Sequence, residues 1–244
     1  MRKSHIVASA VLGAALVASV WIAGCYFNKA RGHAKTVSVV GGAQRDFTSD
    51  LVVWNLSVNT VNMDKRQGYA ELKNMTQLVK DYLIGKGIKS ECVDFKPITT
   101  YNKTEWVREN GEGHDRFVGY DLTQRIRIES SEVEKIEQLS RDISELMDKG
   151  VNIDGNDISY YYTKLADLKV EMLAEATANA KTRAETIAKS ACSRLGGLQT
   201  ANMGVFQITA PNSSDEDYSW GGTFNTSSKN KRASINMRLT YYVR

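Results

Sequence analysis

A chain of 244 residues with 42% hydrophobic and 25% charged side chains has the make-up of a folded protein, long enough for one or two ordinary domains once a leader is set aside. Its net charge of +4 is misleading, because Arg2, Lys3, Lys29, Arg31 and Lys35 precede any acid, and from Thr36 onward 27 basic residues face 28 acidic ones. A near-neutral body offers no basic footprint for phosphate backbones, so nucleic acid is set aside as a partner.

The chain opens with an uncharged run from Ile6 to Phe27, which would extend about 33 Å as a helix and cross a bilayer core of about 30 Å. The run is longer than a secretory h-region and ends in Ala23-Gly24-Cys25 followed by bulky Tyr26 and Phe27, a poor cleavage site. Tyr26 and Phe27 suit an interfacial aromatic belt, with the basic neck Lys29, Arg31 and Lys35 beyond it. The reading is an uncleaved transmembrane anchor. Two alternatives stay open: simple cleavage, and a lipoprotein acylated at Cys25, since Ile22-Ala23-Gly24-Cys25 resembles a lipobox. Each route places the body outside the cytoplasm.

After a first short strand near Val37, the body begins with Val52, Trp54, Leu56 and Val58 alternating with polar or opposite-facing residues, the period of a half-buried strand. Asn62 and Asp64 can cap a helix whose face carries Tyr69, Leu72, Met75, Val79, Tyr82 and Leu83, ended by Gly85 and Gly87. An extended segment with Pro97 at an edge or bulge should pair as a hairpin with the strand carrying Val118, Tyr120, Leu122, Ile126 and Ile128. Between them, Asn102 to Asp115 is an exposed connection into which the two strands can run for a few residues. Ser131-Glu132-Val133-Glu134 offers a capping box for a second helix through Ile136, Leu139, Ile143, Leu146 and Met147 to Gly150. The segment to Thr163 is a further strand. The resulting βαββαβ order is ferredoxin-like. A long alanine-rich helix follows, with Leu168, Met172, Ala176, Ala180, Ile187, Ala191 and Leu195 as its stripe and Gly196-Gly197 as its end. Two extended runs close the chain, around Gly204 to Thr209 and from Lys231 to Arg244, with Pro211 to Ser228 as a mobile excursion. The fold class is α+β, with mixed or antiparallel sheets packed on helices.

Particular words in this order resemble the SIMPL-domain family of bacterial envelope proteins. "VSVVGGAQRDFTSDLVVWNLSV" looks like that family's opening strand pair, with Gly41 or Gly42 at the turn and Asp50 opening the second strand. "GIKSECV" resembles the turn that launches its long strand. The helix with Lys181, Ala184, Glu185, Ala188 and Leu195-Gly196 is similar to its signature region. The resemblance spans residues 36–244, leaving 1–35 as signal-anchor and neck, and implies a periplasmic α+β domain tied loosely to oxidative or envelope stress. Some relatives assemble into large ring-like or channel-like oligomers. It implies no catalytic residue and no cofactor.

The residues themselves supply little chemistry. The body's one histidine is His114, in "NGEGHDR", where a solvated role outweighs that of a general base or metal ligand. Cys92 and Cys192 lack metal-site spacing, and either a disulfide or two small packed thiols fits them. Asp154 with Asp157, and Asp215-Glu216-Asp217, lack the EF-hand order. Tyr160-Tyr161-Tyr162, and Trp106 with Tyr101, suit packing or an aromatic platform. Arg125 with Arg127, and Arg238 with Arg244, could line a face for an acidic partner or a second subunit, or pair with local carboxylates. The expectation is a non-enzymatic envelope protein, anchored through its leader and self-associating into a homo-oligomer. The alternatives are a monomeric periplasmic ligand- or peptide-binding module, and a hydrolytic or redox enzyme using His114 or Cys92 and Cys192.

Overall fold

The computed structural model describes residues 13, 15, 17–24, 35–109, 112–212 and 221–244. Its elements run β1 (Thr36–Thr48), β2 (Leu51–Asn62), α1 (Lys65–Gly85), β3 (Val93–Phe95), β4 (Thr99–Glu109), β5 (Glu112–Ser130), α2 (Val133–Asp142), β6 (Ile153–Tyr161), α3 (Leu165–Ser190), β7 (Leu195–Met203), β8 (Gln207–Thr209) and β9 (Asn230–Val243). The body is α+β. Residues group into two units, one of Gly42–Glu175 with Gly204–Asn236 and one of Met1–Gly41, Ala176–Met203 and Met237–Arg244, so that β1, α3 and β9 each contribute to both.

In the larger unit the strand order is β3-β5-β2-β6, with β4 also on β5, and each of these pairs is antiparallel. This is the ferredoxin-like arrangement expected from the element order. Alternation sends Val52, Trp54, Leu56 and Val58 to one face, where they join Leu122, Ile126 and Ile128 of β5. Leu72, Val79 and Leu83 of α1 and Val133, Ile136 and Leu139 of α2 cover that face. Each fully buried aliphatic side chain contributes about 1.5–3 kcal/mol. A polar insertion on β5's core face is satisfied, since Gln124 accepts from the Thr76 hydroxyl at 2.8 Å and donates to the Lys96 carbonyl at 3.0 Å.

Asp64 caps α1 by accepting from the backbone N–H groups of Arg66 and Gln67, and Gly87, with φ of 80°, follows its end. Tyr69 departs from the expected face and is exposed. The capping box at Ser131 does not form. Glu132 holds the cap position without a side-chain bond, and its own N–H is taken by the Ser130 hydroxyl at 3.0 Å. The second helix is also shorter than its stripe: it is α-helical to Asp142 and tightens into a 3-10 turn over Ile143–Lys149, which buries Ile143 and Leu146 but leaves Met147 exposed. Pro97 falls between β3 and β4, where three residues of one strand oppose two of β5.

Other differences concern glycines and loops. Gly41 and Gly42 make no turn; β1 continues through them, and β1 and β2 lie in different sheets, β1 in the order β1-β9-β7. In the smaller unit a Cβ on Gly41 would sit 2.3 Å from the Ala176 carbonyl oxygen and 2.4 Å from the Ala180 nitrogen. Only a glycine admits so close a helix. The alanine stripe continues through Ala176, Ala180, Ala184 and Ala188, all buried, rather than through Ile187 and Ala191, which are exposed. The helix ends at Ser190, and Leu195-Gly196-Gly197 opens β7, which pairs antiparallel with β9. Ala180, Ala184, Val39, Leu239 and Tyr241 form this unit's core. The segment from Asn102 to Asp115 is strand rather than connection, apart from residues 110 and 111, which lie outside the description. The described part of the 211–228 excursion is tied down, with Thr223 and Asn225 bonded to Ile208 and the Thr226 carbonyl accepting from Tyr160 at 2.7 Å. Residues 17–24 are helical with exposed Val17, Val20, Trp21 and Ile22. Among the described residues no helix is long and apolar enough to cross a membrane; most of the expected span, Cys25 included, lies outside them.

Replacing Gly41 with alanine forces strand and helix backbones apart and lowers stability by about 1–3 kcal/mol. Gly197→Ala, where a Cβ meets nothing within 4 Å, costs far less. Urea unfolding followed by circular dichroism compares the two.

Candidate functional site

The residues that sequence reasoning offered for catalysis do not converge. His114 is exposed on β5 opposite Val107, whereas Cys92 is half-buried beside Val93, which pairs with Ile128. The length of β5 between those positions is about 45 Å at about 3.3 Å per residue. Cys92 packs on the larger unit's core, Cys192 is exposed in the smaller unit with φ of 54°, and both thiols are free. Among the described residues no group of three or more His, Cys, Asp or Glu side chains is placed to hold a metal ion. Asp154 and Asp157 lie on β6, and the 215–217 acids lie outside the description.

The tyrosine run packs. Tyr162 meets Phe47 at 4.8 Å between ring centroids and Tyr161 meets Phe224 at 6.4 Å, on the two sides that alternation dictates. Tyr160 turns to the core side, where its hydroxyl donates to Glu137 at 2.9 Å. Partial burial, then the Glu137 carboxylate, push its phenol up to about 12. Lys229 bridges Glu134 at 2.8 Å and Glu137 at 3.3 Å; these bonds raise the lysine and hold Glu134 below its usual range. Asp50 accepts from the Thr163 N–H and hydroxyl, each at 2.7 Å, fixing the chain where β6 gives way to α3. These contacts bind elements together and present no displaced proton or open nucleophile.

Arg127 pairs with Glu129 at 3.1 Å, and its β3 and β2 neighbours are Asp94 and Asn55. That outer sheet face is a solvated mixture of signs, with Arg127 paired to a local carboxylate.

Two surfaces remain. One is the β4–β5 ribbon. At Lys103/Thr104 the register shifts, Val118 becomes the extra residue, and Gly119 takes φ of 138°, a conformation that favours glycine. Residues 101–106 and 113–117, which flank the bulge, are exposed, and among the described residues β4 pairs only with β5. Trp106 is 70% and Tyr101 68% exposed, with Phe117 also open. The Trp106 ring lies over Gly113, where a Cβ would meet it at 2.2 Å, so the ring is held in place while its outer face stays in water. The other surface is an open cleft of about 420 Å³ in the smaller unit, lined by Ser38, Val39, Val40, Thr182, Arg183, Thr186 and Ile187. Arg183 donates to the Val40 carbonyl at 2.8 Å there. Sequence reasoning named Trp106 and Tyr101 but missed the cleft, whose residues are 142 or more positions apart in the chain for its strand and helix sides.

A family model described as SIMPL, a protein of unknown function (DUF541), matches residues 37–237. No curated protein matches the chain.

The raised Tyr160 phenol makes stability pH-dependent. The unfolded chain releases this proton near pH 10 and the folded one near 12, so the unfolded state binds fewer protons between those values. The contribution is present below pH 10 and lost as pH rises to 12, on the order of 1 kcal/mol once solvent screening of the part-exposed ring is allowed for. Urea melts at the two ends of that window should show a larger loss for the native chain than for Tyr160→Phe; equal losses would contradict the assignment.

Proposed function

Because the chain belongs to the SIMPL family, matched over most of its length, we propose that it is a non-enzymatic, exported component of the cell envelope that works by self-association. Its leader is retained as an anchor in the cytoplasmic membrane and its body lies in the periplasm, where it contributes to protection against oxidative or envelope stress. The apolar run from Ile6 to Phe27 and the exposed apolar side chains of helical residues 17–24 support the anchor. The lipoprotein route through Cys25 is the alternative anchor.

The observation that carries the reading is the β4–β5 ribbon, with an open edge and Tyr101, Trp106 and Phe117 exposed along it. Aromatic side chains that are ordered yet wet are what interfaces bury, and a free strand edge offers backbone groups to another chain. A second reading, a monomeric ligand- or peptide-binding module, is favoured by the cleft beside Arg183, which combines apolar walls with hydroxyls and a cation. The enzyme alternative predicts that a His114→Ala, Cys92→Ser, Cys192→Ser chain loses stress resistance; full resistance removes it.

Light scattering of the full chain in detergent, with detergent mass subtracted, should give a multiple of 27.2 kDa. Trp106→Glu with Phe117→Glu should weaken assembly by tenfold or more in dissociation constant, in line with interface aromatics worth about 2 kcal/mol each. A monomer at every concentration would sink self-association and leave the cleft-based module.

A further inference from the structure

Charge in this chain is segregated in a way that its neutral total conceals. Residues 35–41, 176–203 and 237–244, the described body of the smaller unit, carry Lys35, Lys181, Arg183, Lys189, Arg194, Arg238 and Arg244 against a single acid, Glu185. That acid is engaged by Lys181 at 3.8 Å. All seven cations are exposed.

Four of them share one end of the unit. The Arg194 N–H donates to the Arg244 carbonyl at 2.7 Å and the Arg244 N–H to the Arg194 carbonyl at 2.9 Å, so the start of β7 and the end of β9 lie side by side. The Val243 N–H donates to the Lys35 carbonyl at 2.8 Å, which sets the entry to β1 beside them. Lys189 lies in the last turn of α3, and the Ser193 N–H donates to the Ala188 carbonyl at 2.9 Å, folding the Ala191-Cys192-Ser193 link back toward Arg194. Lys35, Lys189, Arg194 and Arg244 therefore cluster where residues 1–34 join the body. That leader adds Lys29 and Arg31 to an apolar run long enough to span a bilayer.

We propose that this basic end is a docking surface for the anionic headgroups of the membrane in which the leader sits. Cations within a Debye length, about 8–10 Å, of an anionic leaflet are attracted individually, whereas the nearly balanced total charge of the body would give no net attraction. The surface holds the smaller unit against the bilayer. The inference rests on the anchored reading, and its test separates the two.

Cys192 lies within the cluster and is exposed, so it can report on it. The full chain carrying Cys25→Ser and Cys92→Ser is labelled at Cys192 with a fluorophore and added to vesicles of phosphatidylcholine, alone or mixed with phosphatidylglycerol, each containing headgroup-nitroxide lipid. Flotation with neutral vesicles reports the leader; quenching reports docking. The expected result is flotation with both, quenching several-fold stronger on anionic vesicles, reversal at high salt, and a loss of about fivefold in apparent affinity for each of Arg194→Gln and Arg244→Gln. Circular dichroism checks that these variants fold. Failure to float with neutral vesicles overturns the anchor while anionic vesicles still test the surface. Equal quenching on both lipids, or quenching indifferent to salt and to the variants, overturns the docking surface. A response to soluble polyglutamate with none to anionic vesicles also overturns it and gives the cluster to an acidic polypeptide.

Discussion

Strand β2 is the constraint around which the larger unit is arranged. It is central, paired on one side with β5 and on the other with β6, and its row of Val52, Trp54, Leu56 and Val58 must be covered. Covering that row fixes which faces of α1 and α2 turn inward. Trp54 shows how closely the arrangement is specified. Its fully buried indole N–H donates to the Asn156 side chain at 2.7 Å, and Asn156 in turn donates to the Ser140 carbonyl at 2.8 Å, so one polar chain runs from β2 through β6 to α2. A slip of one residue in either register would break both bonds and turn the apolar row to water.

The smaller unit obeys a different rule. Its core is thin, and the helix approaches the strand by giving up side chains rather than by interlocking large ones: Gly41 below, Ala176 and Ala180 above. Backbone proximity replaces bulk. The unit also carries the open cleft beside Arg183, and its surface exposes seven cations. The surfaces open to partners therefore differ in kind: an aromatic ribbon, a cleft with apolar walls and a basic end.

Much of this order was legible in the sequence because it rests on period. Alternation from Val52 to Val58 and from Ala233 to Val243, and the helical recurrence of Leu72, Val79 and Leu83, are enforced by burial and reappear as buried positions, with Met237 and Val243 half-buried. Asp64 was legible for a local reason, as a cap. What stayed hidden depended on neighbours distant in the chain. Gly41 and Gly196-Gly197 read as breakers because glycine usually serves a turn, whereas here Gly41 yields to a helix and Gly196 lies 2.9 Å, at its would-be Cβ, from the Tyr242 carbonyl oxygen. Strand β7 was missed because its run holds a single β-branched residue, Thr200. The Ser131 box did not form because the helix starts one residue later, with Glu132 at the cap, and the Glu134 carboxylate is paired with Lys229. Of the candidate surfaces, Trp106 and Tyr101 were visible as aromatics; their exposure was not, because it depends on what covers β4, and among the described residues β4 pairs only with β5. The basic end was invisible in a balanced total, since only the hydrogen-bonded ends of β1, β7 and β9 bring Lys35, Arg194 and Arg244 together.

The central claim is that this protein acts through an exposed surface of association, with the β4–β5 ribbon as its seam. Hydrogen–deuterium exchange of the full chain, read over residues 99–109 and 112–120 as protein concentration is raised, tests it most directly. The account predicts amide protection in the ribbon that grows with concentration while the β2 amides, already buried, stay unchanged. Ribbon exchange that is fast and independent of concentration would contradict it.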